Sequence, residues 1–154
     1  MGRIIKVINQ NKKYRINEAL VKKIAGKVLR EVRKSHSSEI EIVFLSDRAI
    51  RRLNKKYKKA DRPTDVLSFK LDRDGTGGKK FLGNIFISVD RAFANSKIFN
   101  TGPEDELVLY VIHGILHLFG YDDEDPKARR RMEGKQKEIL GGLCRNLSGV
   151  LTPP

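Results

Sequence analysis

A helix that is apolar on every face, yet carries two histidines, constrains this chain more than any other feature. From Leu107 to Phe119 the sequence reads LVLYVIHGILHLF, without one charged side chain. Such a helix has no face to offer water, so other elements must cover it all round. Its start is marked by Thr101 followed by Glu104, a capping-box pattern, with Pro103 suited to the first turn. Glu104, Asp105 and Glu106 complement the positive end of the helix dipole. Gly120 is a natural left-handed stop. The chain has 3 histidines. Two of them, His113 and His117, sit in this helix four positions apart, on one face and one turn from each other.

An unpaired imidazole in a core carries a desolvation cost. One metal ion would relieve both rings, and zinc takes imidazole nitrogens at about 2.0–2.1 Å. A hydrolytic zinc site needs a third protein ligand and leaves a fourth position open. After Gly120 comes an acidic run, Asp122, Asp123, Glu124 and Asp125. The metzincin pattern H-E-x-x-H-x-x-G-x-x-H places ligands at offsets 0, 4 and 10 and Gly at 7. Here those offsets fall on His113, His117, Asp123 and Gly120, with Gly114 in place of the Glu. His113, His117 and Asp123 are therefore the expected ligands of one zinc per chain. The bland alternatives are core histidines, and an acidic run that only caps the next helix at Asp125. His36, in SHSS, is expected to be an exposed loop residue.

The remaining elements follow from periodicity. Strands are expected at 3–9, 39–45, 66–71 and 82–89. Helices are expected at 18–34 (capped by Asn17), from Ser46 or Asp47 to Tyr57, and at 89–98, 103–119 and 127–140. DGTGG lacks the phosphate-loop pattern and reads as a hairpin loop. The tail 148–154 is expected to be loose. The expectation is one α/β (α+β) domain over residues 1–154, a four-stranded mixed sheet with about five helices. The single cysteine, Cys144, rules out an internal disulfide and reads as a small apolar residue. No signal-like or membrane-spanning stretch is visible, so the expected location is the cytoplasm.

Charge points to a partner. The chain carries +13 at pH 7 over 154 residues, with 33% of residues charged. Excess positive charge on a small domain usually faces a polyanion, nucleic acid first and an anionic membrane surface second. A Lys-rich solvated surface, as in heat-adapted proteins, is the alternative. The densest basic stretch is 48–62, where Arg48, Arg51, Arg52, Lys55, Lys56, Lys58, Lys59 and Arg62 face one acid, Asp61. Arg51, Arg52, Lys55, Lys56, Lys58 and Lys59 are the expected phosphate contacts of such a partner. Tyr57 is expected to pack on the core with Leu53 rather than stack on a base. Thr64, Asp65 and Ser68 are candidates for the rim of the cleft.

HGILHLFGYDDEDP resembles the H-G-x-L-H-L-x-G-Y-D-H signature of the YbeY family of endoribonucleases, bacterial rRNA maturation factors. LNKKYKKADRPTDVLSF (53–69) and LGNIFIS (82–88) resemble two further stretches of that family, so the likeness runs in order from 53 to 125. It implies a zincin-like fold, a zinc ion and single-strand-specific RNA cleavage in 3′-end maturation of 16S rRNA and ribosome quality control. The implied partners are single-stranded RNA, rRNA and the small ribosomal subunit, with no membrane and no DNA. His113, His117 and Lys58 would then be the catalytic set. Three positions depart from the family pattern: Asp123 for His, Lys58 for Arg and Asn84 for Asp. Lys in place of Arg exchanges a bidentate clamp for a point charge. With Gly114 the general base stays open between the metal's own water, Asp65 or Asp122, and the RNA 2′-OH. A zinc peptidase, or an assembly factor with a structural metal, are the competing functions.

Overall fold

A computed structural model describes residues 3–32, 38–143 and 149–152. In chain order the elements are β1 Ile4–Asn9, β2 Arg15–Ile16, α1 Glu18–Val32, β3 Ser38–Leu45, α2 Asp47–Lys58, β4 Val66–Asp74, β5 Lys80–Ser88, α3 Val89–Phe99, α4 Pro103–Leu118, α5 Pro126–Gly142 and β6 Leu151–Thr152. The main sheet is mixed, in the order β1-β3-β5-β4. β1, β3 and β5 run parallel, and β4 runs antiparallel to β5 at the edge.

β3 is covered on both faces, and its second half, Ile42–Leu45, is an unbroken apolar run. Ile40, Ile42 and Phe44 join the main core, while Val43 and Leu45 join a smaller one with Ile50 of α2 and Leu67 of β4. The sheet thus separates two layers. α2 covers part of one face, and α4 lies on the other against β4 and β5. α1, α3 and α5 enclose the remaining sides of α4, so Leu107, Ile112, Ile115 and Leu116 are fully buried. Among the described residues no helix is long and apolar enough to cross a membrane.

Caps form as the sequence predicts at Asn17, Ser46 and Asp125, whose side chains accept the N–H of Leu20, Ala49 and Ala128. α4 differs. Its N-cap is Gly102, with no side-chain cap. Thr101 instead donates its N–H to Ser96 O and closes the end of α3, so the expected Thr101–Glu104 box does not form.

β4 and β5 are longer than periodicity suggested and make a hairpin around a single 3-10 turn at Thr76–Gly78. Glu39 of β3 pins its tip by accepting the Thr76 N–H at 3.0 Å. The expectation of a loose tail over 148–154 needs correcting at Leu151–Thr152; residues 148, 153 and 154 lie outside the described residues. Leu151–Thr152 pairs with Arg15–Ile16 as a second, two-stranded sheet, because Val150 and Leu151 are buried in the main core. Cys144 and His36 lie outside the described residues.

Candidate metal centre

His113 and His117 project from the C-terminal half of α4 into a cleft of about 350 Å³. Lys58 at the end of α2 and Thr64–Ser68, leading into β4, line the same cleft. The helix stops in a Schellman arrangement, with Tyr121 N–H bonding Leu116 O and Gly120 N–H bonding His117 O. Gly120 takes φ +91°, a left-handed value natural to glycine. This reversal carries the acidic run back over the histidines. Asp122 accepts the Glu124 N–H and Asp125 caps α5. Asp123 is the acid that reaches the rings, its Oδ2 3.9 Å from His113 Nε2.

The three side chains offer ligand atoms that all lie within 4.8 Å of one another. His113 Nδ1 faces Gln136 Oε1 of α5 at 2.7 Å, and His117 bonds the Tyr121 backbone. The two Nε2 atoms face each other at 2.9 Å, and when each ring carries its proton on Nδ1 both Nε2 lone pairs are bare. Two bare lone pairs at that distance repel unless a proton or a cation lies between them. Burial, and then the neighbouring His113, pushes the His117 pKa below the ordinary histidine value, which disfavours the proton. A cation suits the pair better. Ligands about 2.0–2.1 Å from one tetrahedral ion lie roughly 3.3 Å apart, so small side-chain movements would seat one. Two imidazoles and a carboxylate are a donor set that zinc accepts. Among the described residues no fourth metal-binding side chain joins the group.

Gly114 explains why the metzincin glutamate is missing. A Cβ at 114 would overlap Ile85 Cγ2 and sit 3.3 Å from both Ser68 Oγ and Val66 Cγ2. α4 meets the sheet here backbone-first, and Ser68 Oγ donates to Gly114 O at 2.9 Å. A peptidase-type general base has no room at this position.

The family model for Endoribonuclease YbeY matches residues 6–143. The chain belongs to this family. A curated Endoribonuclease YbeY from Moorella thermoacetica is 34% identical over 88% of this chain and 94% of that protein. One from Myxococcus xanthus is 41% identical over 67% of this chain and 36% of its own length. The solution structure of TM1509 from Thermotoga maritima aligns with TM-score 0.61 at 31% identity, covering 89% of this chain and 87% of that one.

The residues that depart from the YbeY signature fall in different places. Asp123 and Lys58 both border the cleft. Asn84 faces the other side of the sheet, in an apolar hollow with Leu53, Tyr57, Phe69, Leu71 and Phe86, so it does not touch the metal centre.

The cations of α2 are divided. Arg51 is held by Asp61 at 2.8 Å, with Lys55 at 3.9 Å from the same carboxylate. Lys56 lies over the Tyr57 ring, 5.1 Å from its centroid, and Lys59 is the left-handed C-cap. Arg52 faces a different hollow. Tyr57 meets Phe69 edge-on but is 53% exposed, so it is less buried than its spacing from Leu53 implied.

Gln136 is the site residue that sequence reasoning missed. It lies four residues after the buried Met132, hence on the inward side of α5. It is also one of two glutamines, the other being Gln10. Those signals place it inward but name no partner, because the contact with His113 is tertiary.

Proposed function

We propose that this chain is a metal-dependent endoribonuclease that cuts single-stranded RNA at the His113–His117–Asp123 centre. The observation that carries this reading is that the three candidate ligands share one cleft with the cation Lys58. Family membership supports RNA as the substrate. Zinc is the expected ion, one per chain. When bound it would polarise a phosphate oxygen and lower the pKa of a coordinated water.

The chain's own groups do the rest. Gln136 Oε1 lies 2.7 Å from His113 Nδ1 and would hold the ring with its proton on that nitrogen, away from the cleft; such outer partners raise ligand basicity. Lys58 is exposed at the cleft, placed to neutralise charge that builds on the phosphate. Asp65 borders the cleft, though its Oδ1 already accepts the Val66 N–H at 2.8 Å. Asp122 is turned to a backbone N–H in the turn. Of the two candidate acids, Asp65 is therefore better placed to take a proton.

The biological reading is 3′-end maturation of 16S rRNA and ribosome quality control, at the small subunit and in the cytoplasm. The test exposes purified protein to unstructured RNA and to casein, each with and without chelator. Chelator-sensitive cleavage of RNA alone is expected. Cleavage of casein, or RNA cleavage indifferent to chelator, would overturn the reading.

A further inference from the structure

The second large hollow, about 410 Å³, lies at the opposite end of α2 from Lys58. Its cations stand on two facing elements: Lys12 and Lys13 on the turn between β1 and β2, Arg48 and Arg52 on α2. The turn is rigidly built. Asn11 is buried, its Oδ1 accepts the Lys13 and Tyr14 N–H groups, and its Nδ2 donates to Asn9 Oδ1 and Tyr14 O.

The nearby acids are already engaged. Asp90 accepts the first N–H of α2, and Asp47 is clasped by Arg91 at 2.9 Å. Among the described residues, Lys12, Arg48 and Arg52 pair with no carboxylate. This differs from Arg51 and Lys55, which share Asp61.

From the hollow a basic ridge continues along exposed α2 through Arg48, Arg52, Lys56 and Lys59. Steps of three and four residues keep such a row on one side of a helix. Arg48 and Lys58 are ten positions apart on this helix, about 15 Å at 1.5 Å per residue. At about 3.4 Å per nucleotide that distance holds roughly four to five nucleotides of a stacked strand.

We propose that this hollow grips backbone phosphates of the same RNA strand whose scissile bond lies at the metal, with roughly four to five nucleotides spanning α2 from Arg48 to Lys58 between them. The inference rests on the reading of the cleft as an RNA-cleaving site. It adds a second anchoring point and a minimum length for tight binding. Two walls of cation facing each other suit a linear polyanion that passes between them, and the ridge to the cleft favours a nucleic acid strand over a separate acidic protein.

The test is equilibrium anisotropy with 2′-O-methyl oligouridines of four and twelve nucleotides, over a range of KCl. Wild type should bind the 12-mer far more tightly. Lys12→Ser with Arg48→Ser should lower the log–log salt slope for the 12-mer by about 1.4, about 0.7 per lost single-strand contact. Its affinity near 0.1 M salt should fall on the order of tenfold, and most of its length preference should disappear. The control, Lys22→Ser with Lys97→Ser, removes the same charge on α1 and α3, and should lose much less. Equal losses in variant and control would overturn the proposal and turn the hollow over to an acidic protein partner. Because the assay reads binding alone, absent cleavage with an intact slope difference would sink only the nuclease reading. Intact cleavage with no slope difference would sink only the anchor.

Discussion

The two helices that frame the cleft solve opposite problems. α4 is enclosed except where its two histidines meet the cleft, and the cost of desolvating an imidazole favours a partner for each of them. α2 buries only Ile50 and Asn54, and an exposed cation is solvated whether or not it has a role. Polar residues on α4 are therefore informative by their presence alone, while those on α2 become informative only through their neighbours. Arg51 and Lys58 look alike in sequence, yet one is tied to Asp61 and the other lines the cleft that holds the candidate metal ligands. Substitutions should reproduce this asymmetry: large and specific on α4, graded and dependent on location along α2.

The largest effect is expected on α4 itself. His113→Ala or His117→Ala should remove the bound metal and reduce RNA cleavage to background, read by metal analysis beside a cleavage assay. Asp123→Ala should weaken metal binding, whereas Asp123→His should keep or tighten it. If Asp125→Ala proved the more damaging change, the third ligand would be misassigned. That outcome would contradict its place as the α5 cap.

Next in size is Lys58, the residue by which α2 lines the cleft. Lys58→Ala should slow single-turnover cleavage about 10²–10³-fold, the usual loss when one group that stabilises transition-state charge is removed. Metal content should not change. Lys58→Arg should retain most of the activity. Arg51→Ala, near the middle of the same helix, should stay within a few-fold because its guanidinium already belongs to Asp61. Comparable losses at Arg51 and Lys58 would erase the distinction drawn between paired and cleft-facing cations.

A smaller effect is expected from behind the ligands. Gln136→Leu leaves His113 without its partner across α5. Outer-shell losses of this kind typically lower metal affinity by about 10–100-fold. The measurement is a competitive chelator titration, with Lys135→Leu on the same helix as the comparison. Unchanged affinity would mean that packing alone holds the ring.

These contrasts also explain what the sequence could reveal. The buried helix, its histidine pair, the glycine turn and the following acid are local, fixed by spacing within eleven residues, and their geometry could be stated without a fold. The same holds for the alternating strands β1, β3 and β5. Contacts between distant segments could not be read. Two-residue strands such as Arg15–Ile16 and Leu151–Thr152 show no periodicity, so the tail looked free. Thr101 matched a capping box, yet its backbone was claimed by the end of α3. Gln136 and the Lys12–Arg48 hollow both join segments far apart in the chain.

The smallest effect concerns the proton that competes with the metal. Burial and the adjacent His113 lower the pKa of His117 in the folded, metal-free protein, while in the unfolded chain it returns to about 6.5. Above that value the ring is neutral in both states and makes no pH-dependent contribution. As pH falls below it, the unfolded chain takes up a proton that the folded chain resists, so folding loses stability. The loss continues until pH passes the lowered folded value, and then levels. Metal-stripped wild type should therefore melt at progressively lower temperature from about pH 7 toward pH 5. His117→Gln, which keeps a polar side chain but cannot titrate, should show a flatter profile over the same range. Parallel profiles would mean that other groups dominate. His117 would then carry no penalty for protonation, and the preference for a cation over a proton between the two Nε2 atoms would lose its electrostatic support.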